Sequence, residues 1–238
     1  MTPDRSESPG AAAGSAAGMS DSAAPLREAP PREAPPRFVV LDGIDGCGKT
    51  SQAERLVERL AAAGRPRPLH VREPGSTAAG ERIRALLLDP DVALEAQSEV
   101  LLFAAARRQM LAELVQPALA DGRDVVCERF HPSTFAYQAV AGGLDEDAVL
   151  ELLSRWCGAP VPDRIVLFAL DPAEALARRG EGNDRFEGRG LAFQERVAAG
   201  YRRFAERVPG VAVVDAAAPP ERVADAVWDA VWSEAEAR

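Results

Sequence analysis

The stretch Gly43-Ile44-Asp45-Gly46-Cys47-Gly48-Lys49-Thr50 constrains this chain more than any other. It fits the pattern G-x-x-x-x-G-K-[ST] and stands between two segments of different periodicity. Before it, Phe38-Val39-Val40-Leu41 is a short unbroken apolar run, the mark of a parallel strand buried on both faces. After it, residues 50–63 place Ala53, Leu56, Val57, Leu60 and Ala63 on one helical face. A strand, a glycine-rich turn and a helix in this order curl backbone N–H groups around a phosphate, and the helix N-terminus adds partial positive charge. Lys49 would then reach the β and γ phosphates of a bound nucleoside triphosphate, and the Thr50 hydroxyl would ligate Mg²⁺. Residues 43–50 are therefore the expected ATP-binding loop.

Four more strand-like runs follow, at Leu69–Arg72, Val125–Glu128, Ile165–Leu170 and Val211–Asp215. Helical segments separate them: Gly80–Leu88, a long one from Ser98 to Ala120, then Glu146–Cys157, Ala173–Arg179, Leu191–Val208 and Glu221–Ala235. Strands alternating with helices predict an α/β fold in which helices cover both faces of a parallel sheet. In such sheets ligands gather beyond the carboxyl ends of the strands. A carboxylate is expected there to hold the metal, and Glu128 stands at a strand end. The segment after Arg129 reads as a loop.

Residues 1–36 carry none of this periodicity. They are rich in Ala, Pro, Ser and Gly, they lead into the tandem REAPPREAPPR of Arg27 to Arg37, and Met1, Met19 and Leu26 are their only sizeable apolar side chains. Such a segment cannot bury enough surface to offset its ordering entropy, so it is predicted to be a disordered tail before one folded domain, residues 37–238. Met19 stands as an alternative start. With 28 Lys and Arg against 37 Asp and Glu, the net charge of −9 argues against a general nucleic-acid binder or a membrane-surface protein. No apolar run approaches the ~18 residues of a membrane span. Cys47, Cys127 and Cys157 are odd in number and lack a C-x-x-C spacing, which suits reduced thiols of a cytoplasmic protein better than a disulfide framework or zinc site.

Beyond the phosphate loop, several motifs resemble those of the thymidylate kinases, in the order of that family. They are Asp42 to Thr50, Arg72-Glu73-Pro74-Gly75-Ser76-Thr77, residues 81–89, Leu101-Leu102-Phe103-Ala104-Ala105-Ala106-Arg107, Glu128-Arg129-Phe130, Ser133-Thr134-Phe135-Ala136-Tyr137-Gln138, Asp184-Arg185-Phe186-Glu187, and Val211 to Ala216. The resemblance implies a five-stranded P-loop kinase with a short lid, transferring the γ-phosphoryl of ATP to dTMP with Mg²⁺ on the route to dTTP, and commonly a homodimer. It implies that Asp45 approaches the sugar 3′-hydroxyl, that Phe103 stacks on thymine and that Arg107 donates to a thymine carbonyl. Arg84 and Arg129 are implied as receptors of the acceptor phosphate, and converging guanidinium forks suit its charge. Ser133, Tyr137 and Gln138 are implied around the sugar and base, with Tyr137 filling the space a ribose 2′-hydroxyl would need. Glu128 stands where the family usually has aspartate, and Ser76 where it usually has glycine.

Phosphoryl transfer needs cations around the migrating group. The stretch from Arg178 to Gly190 contains Arg178, Arg179, Arg185 and Arg189 among glycines and resembles the family's lid. One subtype of the family carries an arginine within the phosphate loop; the corresponding residue here is Gly46, so the lid is expected to supply the charge. Arg185 is the first candidate and Arg179 the second, while Arg178 is expected against adenine. Two other readings remain open from the sequence. One is a P-loop kinase for another nucleoside monophosphate or a deoxynucleoside; the other is a non-catalytic nucleotide-binding regulator.

Overall fold

The computed structural model describes residues 34–179, 186 and 189–232. Five strands form one sheet: β1 (Phe38–Gly43), β2 (Leu69–Arg72), β3 (Val125–Glu128), β4 (Arg164–Ala169) and β5 (Val211–Asp215). Every pairing is parallel and the order is β2-β3-β1-β4-β5. The central strand β1 is buried along its whole length, which explains its unbroken apolar run. Its alternation divides the core. Phe38 and Val40 pack with Val71, Val125, Cys127 and Met110, while Val39 and Leu41 pack with Leu56, Val126, Val166 and Val197.

The helices are α1 (Lys49–Ala62), α2 (Ala78–Leu88), α3 (Ala96–Met110), α4 (Gln116–Ala120), α5 (His131–Thr134), α6 (Glu146–Cys157), α7 (Pro172–Arg179), α8 (Gly190–Arg207) and α9 (Pro220–Trp232). The chain leaves β1 toward β2 and leaves β3 toward β4, on the opposite side of β1. The carboxyl ends of β1 and β3 therefore border a crevice at a topological switch point.

Two segments depart from the sequence expectation. The long helix from Ser98 is not uniform: α3 passes through a π-helical turn, Leu111–Val115, before α4. Pro117 lacks an N–H and its ring would crowd the carbonyl four residues back, so the helix widens there. The segment after Arg129 is helical, as α5 and a π-helical turn, Phe135–Val140. Its cap comes from outside: Asp42 on β1 accepts from the backbone N–H groups of Phe130 and Ser133, both at 3.0 Å. At the N-terminal side, the carbonyls of Ala34 and Pro35 accept from Arg65 Nη2 at 3.2 Å. The rest of the expected tail, residues 1–33, lies outside the described residues, as do lid residues 180–185 and 187–188.

Candidate active site

The phosphate loop runs from β1 into α1. Gly46 has φ +87°, and a Cβ there would fall 2.2 Å from the carbonyl oxygen of Ala175 on α7. The loop is thus pressed against α7, and no side chain fits at position 46 unless that helix shifts. Gly48, at φ +90°, turns the chain into α1. Lys49 is buried, and its Nζ donates to the carbonyls of Gly43 and Ile44, each at 2.9 Å. It also lies 3.5 Å from Asp45 Oδ1.

Thr50 and Glu128 meet across the crevice. Thr50 Oγ1 donates to Glu128 Oε2 at 2.5 Å, and His70 Nε2 donates to Oε1 at 2.9 Å. Burial alone would raise the pKa of Glu128. The hydrogen bonds from His70 and Thr50, with the charge of Lys49, outweigh burial and hold the carboxyl below its ordinary value. A hydroxyl and a carboxylate facing one cavity are hard oxygen donors, which suits Mg²⁺, an ion usually held by one or two carboxylates plus substrate phosphates. Among the described residues no group of three or more His, Cys, Asp or Glu could hold a metal by itself.

A part-buried network fixes the next residue. Arg129 sits at φ +66°, a strained conformation for a side-chain-bearing residue. Its guanidinium bonds Ser133 Oγ at 3.1 Å and pairs closely with Asp45 Oδ1. Ser133 Oγ in turn donates to Asp42 Oδ1 at 2.7 Å, and the Tyr201 hydroxyl of α8 donates to the same oxygen at 2.9 Å. Tyr137 donates to Asp45 Oδ2 at 2.9 Å. Burial pushes against ionisation of Asp45, but the charges of Arg129 and Lys49 and the hydrogen bond from Tyr137 hold it far below the carboxylate range.

The far end of the cavity is built from α2, α3 and the segment 134–138. Arg107 is 1% exposed; its Nε donates to Glu73 Oε2 at 2.6 Å and its Nη2 to Thr134 Oγ1 at 3.1 Å. Its Nη1 and the second oxygen of Glu73 are buried without a hydrogen-bond partner among the described residues. Burial raises Glu73 to about 7, against the opposing charge of Arg107. Gln138 donates to Glu99 at 2.9 Å, and Arg84 donates to the carbonyl of Pro74 at 3.0 Å. Phe103, half-buried, lies 6.2 Å from Phe186, which meets the Tyr137 ring edge-on at 5.9 Å.

One cavity of about 470 Å³ joins these parts. It is lined by Asp45, Gly46, Gly48, Lys49, Thr50, Arg84, Phe103, Arg107, Glu128, Arg129, Ser133, Tyr137 and Gln138, all named from the sequence. Gly43, Ile44 and Cys47 shape the loop from behind and do not line the cavity, nor do Arg178 and Arg179 at the end of α7. Arg178 instead donates to the Ala216 carbonyl at 2.8 Å and to Glu174 at 2.6 Å. Arg185 lies outside the described residues.

The sequence alone assigns no role to Asp42, His70, Glu73, Phe186 or Tyr201. Asp42 and Glu73 sit inside quoted motifs, and an acid ending a fully apolar strand run was a usable sign for Asp42. Nothing local marks His70 or Tyr201, whose partners are 58 and 159 residues away.

The family profile described as thymidylate kinase matches residues 41–227. The chain is 42% identical over 205 residues to a thymidylate kinase of Solidesulfovibrio magneticus, covering 82% of this chain and 98% of that protein. It is 43% identical over 196 residues to one from Jannaschia sp., covering 80% and 93%. With one from Burkholderia cenocepacia the identity is 47% over 188 residues, covering 76% and 89%.

Proposed function

The chain belongs to the thymidylate kinase family, and on that premise we propose that it transfers the γ-phosphoryl group of ATP to dTMP, giving dTDP and ADP. The observation that carries the assignment of roles is the single cavity linking the phosphate loop to the Arg107 pocket, which gives donor and acceptor adjoining places.

The phosphate-loop N–H groups and Lys49 receive the ATP phosphates. Lys49 already has its ammonium in the loop, held by carbonyls that a phosphate oxygen can replace. Thr50 and Glu128 would hold Mg²⁺, which when bound would neutralise charge on the phosphates. Arg129 and Arg84 take the acceptor phosphate. Arg129 is locked by Asp45, Ser133 and its strained backbone, so little ordering remains when substrate arrives. Asp45, an anion throughout the neutral range, accepts from the sugar 3′-hydroxyl.

Phe103 stacks on the base, and the unpartnered Nη1 of Arg107 donates to its carbonyl. Ser133, Tyr137 and Gln138 shape the sugar and base pocket. The Tyr137 ring, held by Asp45 and Phe186, occupies space that a 2′-hydroxyl would need. Arg185, with Arg179, supplies charge to the migrating phosphoryl group from the lid, and Arg178 packs on adenine. Its hold on the Ala216 carbonyl keeps its aliphatic stem near the end of β5.

The functional unit is read as a homodimer. In support, α2 packs on α3 and α3 on α6, and these helices expose Leu86, Leu101 and Trp156, with Leu101 and Trp156 at 59% and 68%. A cytoplasmic location is consistent with three buried free thiols. No described helix is long and apolar enough to cross a membrane.

A coupled ADP-release assay with dTMP, dUMP, thymidine, CMP and AMP as acceptors tests the activity. Turnover highest with dTMP is expected. Preference for CMP or AMP would overturn the base-pocket roles, and no turnover with any acceptor would overturn the reading as an enzyme.

A further inference from the structure

Strands β2 and β3 pair in register, His70 with Val126 and Arg72 with Glu128. Side chains two apart share a face, so His70 and Glu128 are diagonal neighbours on the same side of the sheet, within reach of long side chains. Glu128 turns back along its strand and the two side chains meet at 2.9 Å. A carboxylate only accepts, so His70 Nε2 carries the hydrogen. The other oxygen, Oε2, is taken by Thr50 at the start of α1. One carboxylate is therefore held from two sides by elements that sequence places far apart. Glu128 lines the cavity and His70 does not; the ring stands behind it with its side chain 30% exposed.

We propose that His70 is a positioning residue for the metal carboxylate. By binding Oε1 from behind, it fixes the rotation of the longer glutamate side chain so that Oε2 stays beside Thr50 at the phosphate end of the cavity. A glutamate has one more rotatable bond than an aspartate, and without an anchor it would spend that freedom away from Thr50. Partners of this kind orient metal ligands elsewhere, and their removal commonly costs 10- to 100-fold in metal affinity. The proposal rests on the reading of Glu128 as a metal ligand, so the test includes a control for that reading.

The test uses the full-length protein saturated with a non-hydrolysable ATP analogue and titrated with Mn²⁺, free Mn²⁺ being read by electron paramagnetic resonance. Glu128→Gln is the control, and its Mn²⁺ affinity should fall. His70→Ala should then weaken Mn²⁺ binding about 10-fold, leave the KM for dTMP unchanged and melt like the parent. His70→Gln, which keeps a donor N–H at similar reach, should recover most of the loss. The double variant His70→Ala/Glu128→Gln should bind Mn²⁺ no more weakly than Glu128→Gln alone, because both act through one group. Parental Mn²⁺ affinity in His70→Ala beside a weakened Glu128→Gln overturns the positioning role. Equal loss in His70→Ala and His70→Gln, with lowered melting temperatures in both, also overturns it by making the effect one of packing. Unchanged affinity in Glu128→Gln overturns the metal reading of Glu128 and the proposal with it.

Discussion

Arg107 follows Phe103 by one helical turn, and its spacing alone is that of an exposed helix arginine. In the fold it is enclosed, with Nε on Glu73, the Phe130 ring 4.9 Å from its guanidinium carbon and one nitrogen unpartnered. Arg107→Ala would leave the Glu73 carboxyl and the Thr134 hydroxyl buried without their hydrogen-bond partner, a loss of about 1–3 kcal/mol, so a kinetic effect could be confused with unfolding. Arg107→Lys keeps the charge but not the planar fork. It should remain folded and raise the KM for dTMP by about 10- to 150-fold, the equivalent of about 1.5–3 kcal/mol for one charge-assisted hydrogen bond, with the KM for ATP unchanged. Phe103→Ala should also raise the KM for dTMP, with a modest loss of melting temperature because the ring is only half-buried. Unaltered dTMP kinetics in Arg107→Lys would remove the ground for a base pocket at Arg107. Glu73 carries a second prediction. Burial raises its pKa from 4.5 to about 7 in the folded protein, so between those values the folded state binds the proton and the unfolded state has lost it. Stability from this group is present below about 4.5 and falls as pH rises to about 7, by roughly 3 kcal/mol at 1.36 kcal/mol per unit. Glu73→Gln should flatten that part of a melting-temperature profile between pH 4.5 and 7.5, whatever it does to absolute stability. A slope unchanged by the substitution would mean Glu73 is ionised throughout.

Strand β1 and the segment after β3 form one functional element joined by Asp42. This fully buried carboxylate caps α5 through two N–H groups and also receives Ser133 Oγ and Tyr201. It thereby orients the backbone on either side of Arg129 and ties α8 to the phosphate loop, where the Tyr201 hydroxyl also lies 3.1 Å from the Gly43 carbonyl oxygen. A helix cap contributes about 0.5–2 kcal/mol, and Asp42 serves a cap and two hydroxyls at once. Asp42→Ala should therefore cost more than ~2 kcal/mol in denaturant unfolding and lower kcat through a displaced Arg129. Asp42→Asn, which keeps one acceptor oxygen, should lose less of both. An Asp42→Ala protein with parental kcat would show that Arg129 is held by Asp45, Ser133 and its own backbone without help from Asp42.

At the scale of the molecule, the N-terminal edge is closed by a cluster that joins distant parts of the chain. Arg65 forms a two-pronged pair with Asp124 at 2.5 and 2.9 Å and faces the Trp232 ring of α9, which also receives Arg37 at 4.2 Å. The same Arg65 holds the carbonyls of Ala34 and Pro35, so these residues are tied to the domain ahead of Arg37. A chain shortened to start at Ala34 should keep its melting temperature and dTMP turnover. One starting at Arg37 gives up two hydrogen bonds to a charged group and should melt a few degrees lower, since ~1 kcal/mol corresponds to about 2–4 °C in a domain of this size. A marked loss of turnover in the Ala34 chain would give residues 1–33 a functional role.

The parallel sheet and the phosphate loop were legible in the sequence because their signals are local, whereas the rest of the cavity lining was named through the resemblance to the thymidylate kinases. An apolar run, a glycine pattern and a helical stripe each lie within about fifteen residues, and a motif such as Leu101 to Arg107 sets two pocket side chains one turn apart by helix geometry alone. Other features depended on segments that meet only when the sheet is assembled. The helix after Arg129 is capped by a carboxylate on another strand, so its own residues carry no start signal. The π-helical turn before Pro117 follows from the proline, whose missing N–H and ring act on the preceding turn. Arg107 could be placed from sequence, yet its burial required Glu73 from beyond β2 and Thr134 from α5. Likewise Glu128 was marked by its strand end, while the hold of His70 on it follows from β2 and β3 lying side by side in register. Local chemistry determined which groups the chain carries to the site. The order of the strands decided which of them face one another, because hydrogen-bonded partners in a parallel sheet come from distant sequence.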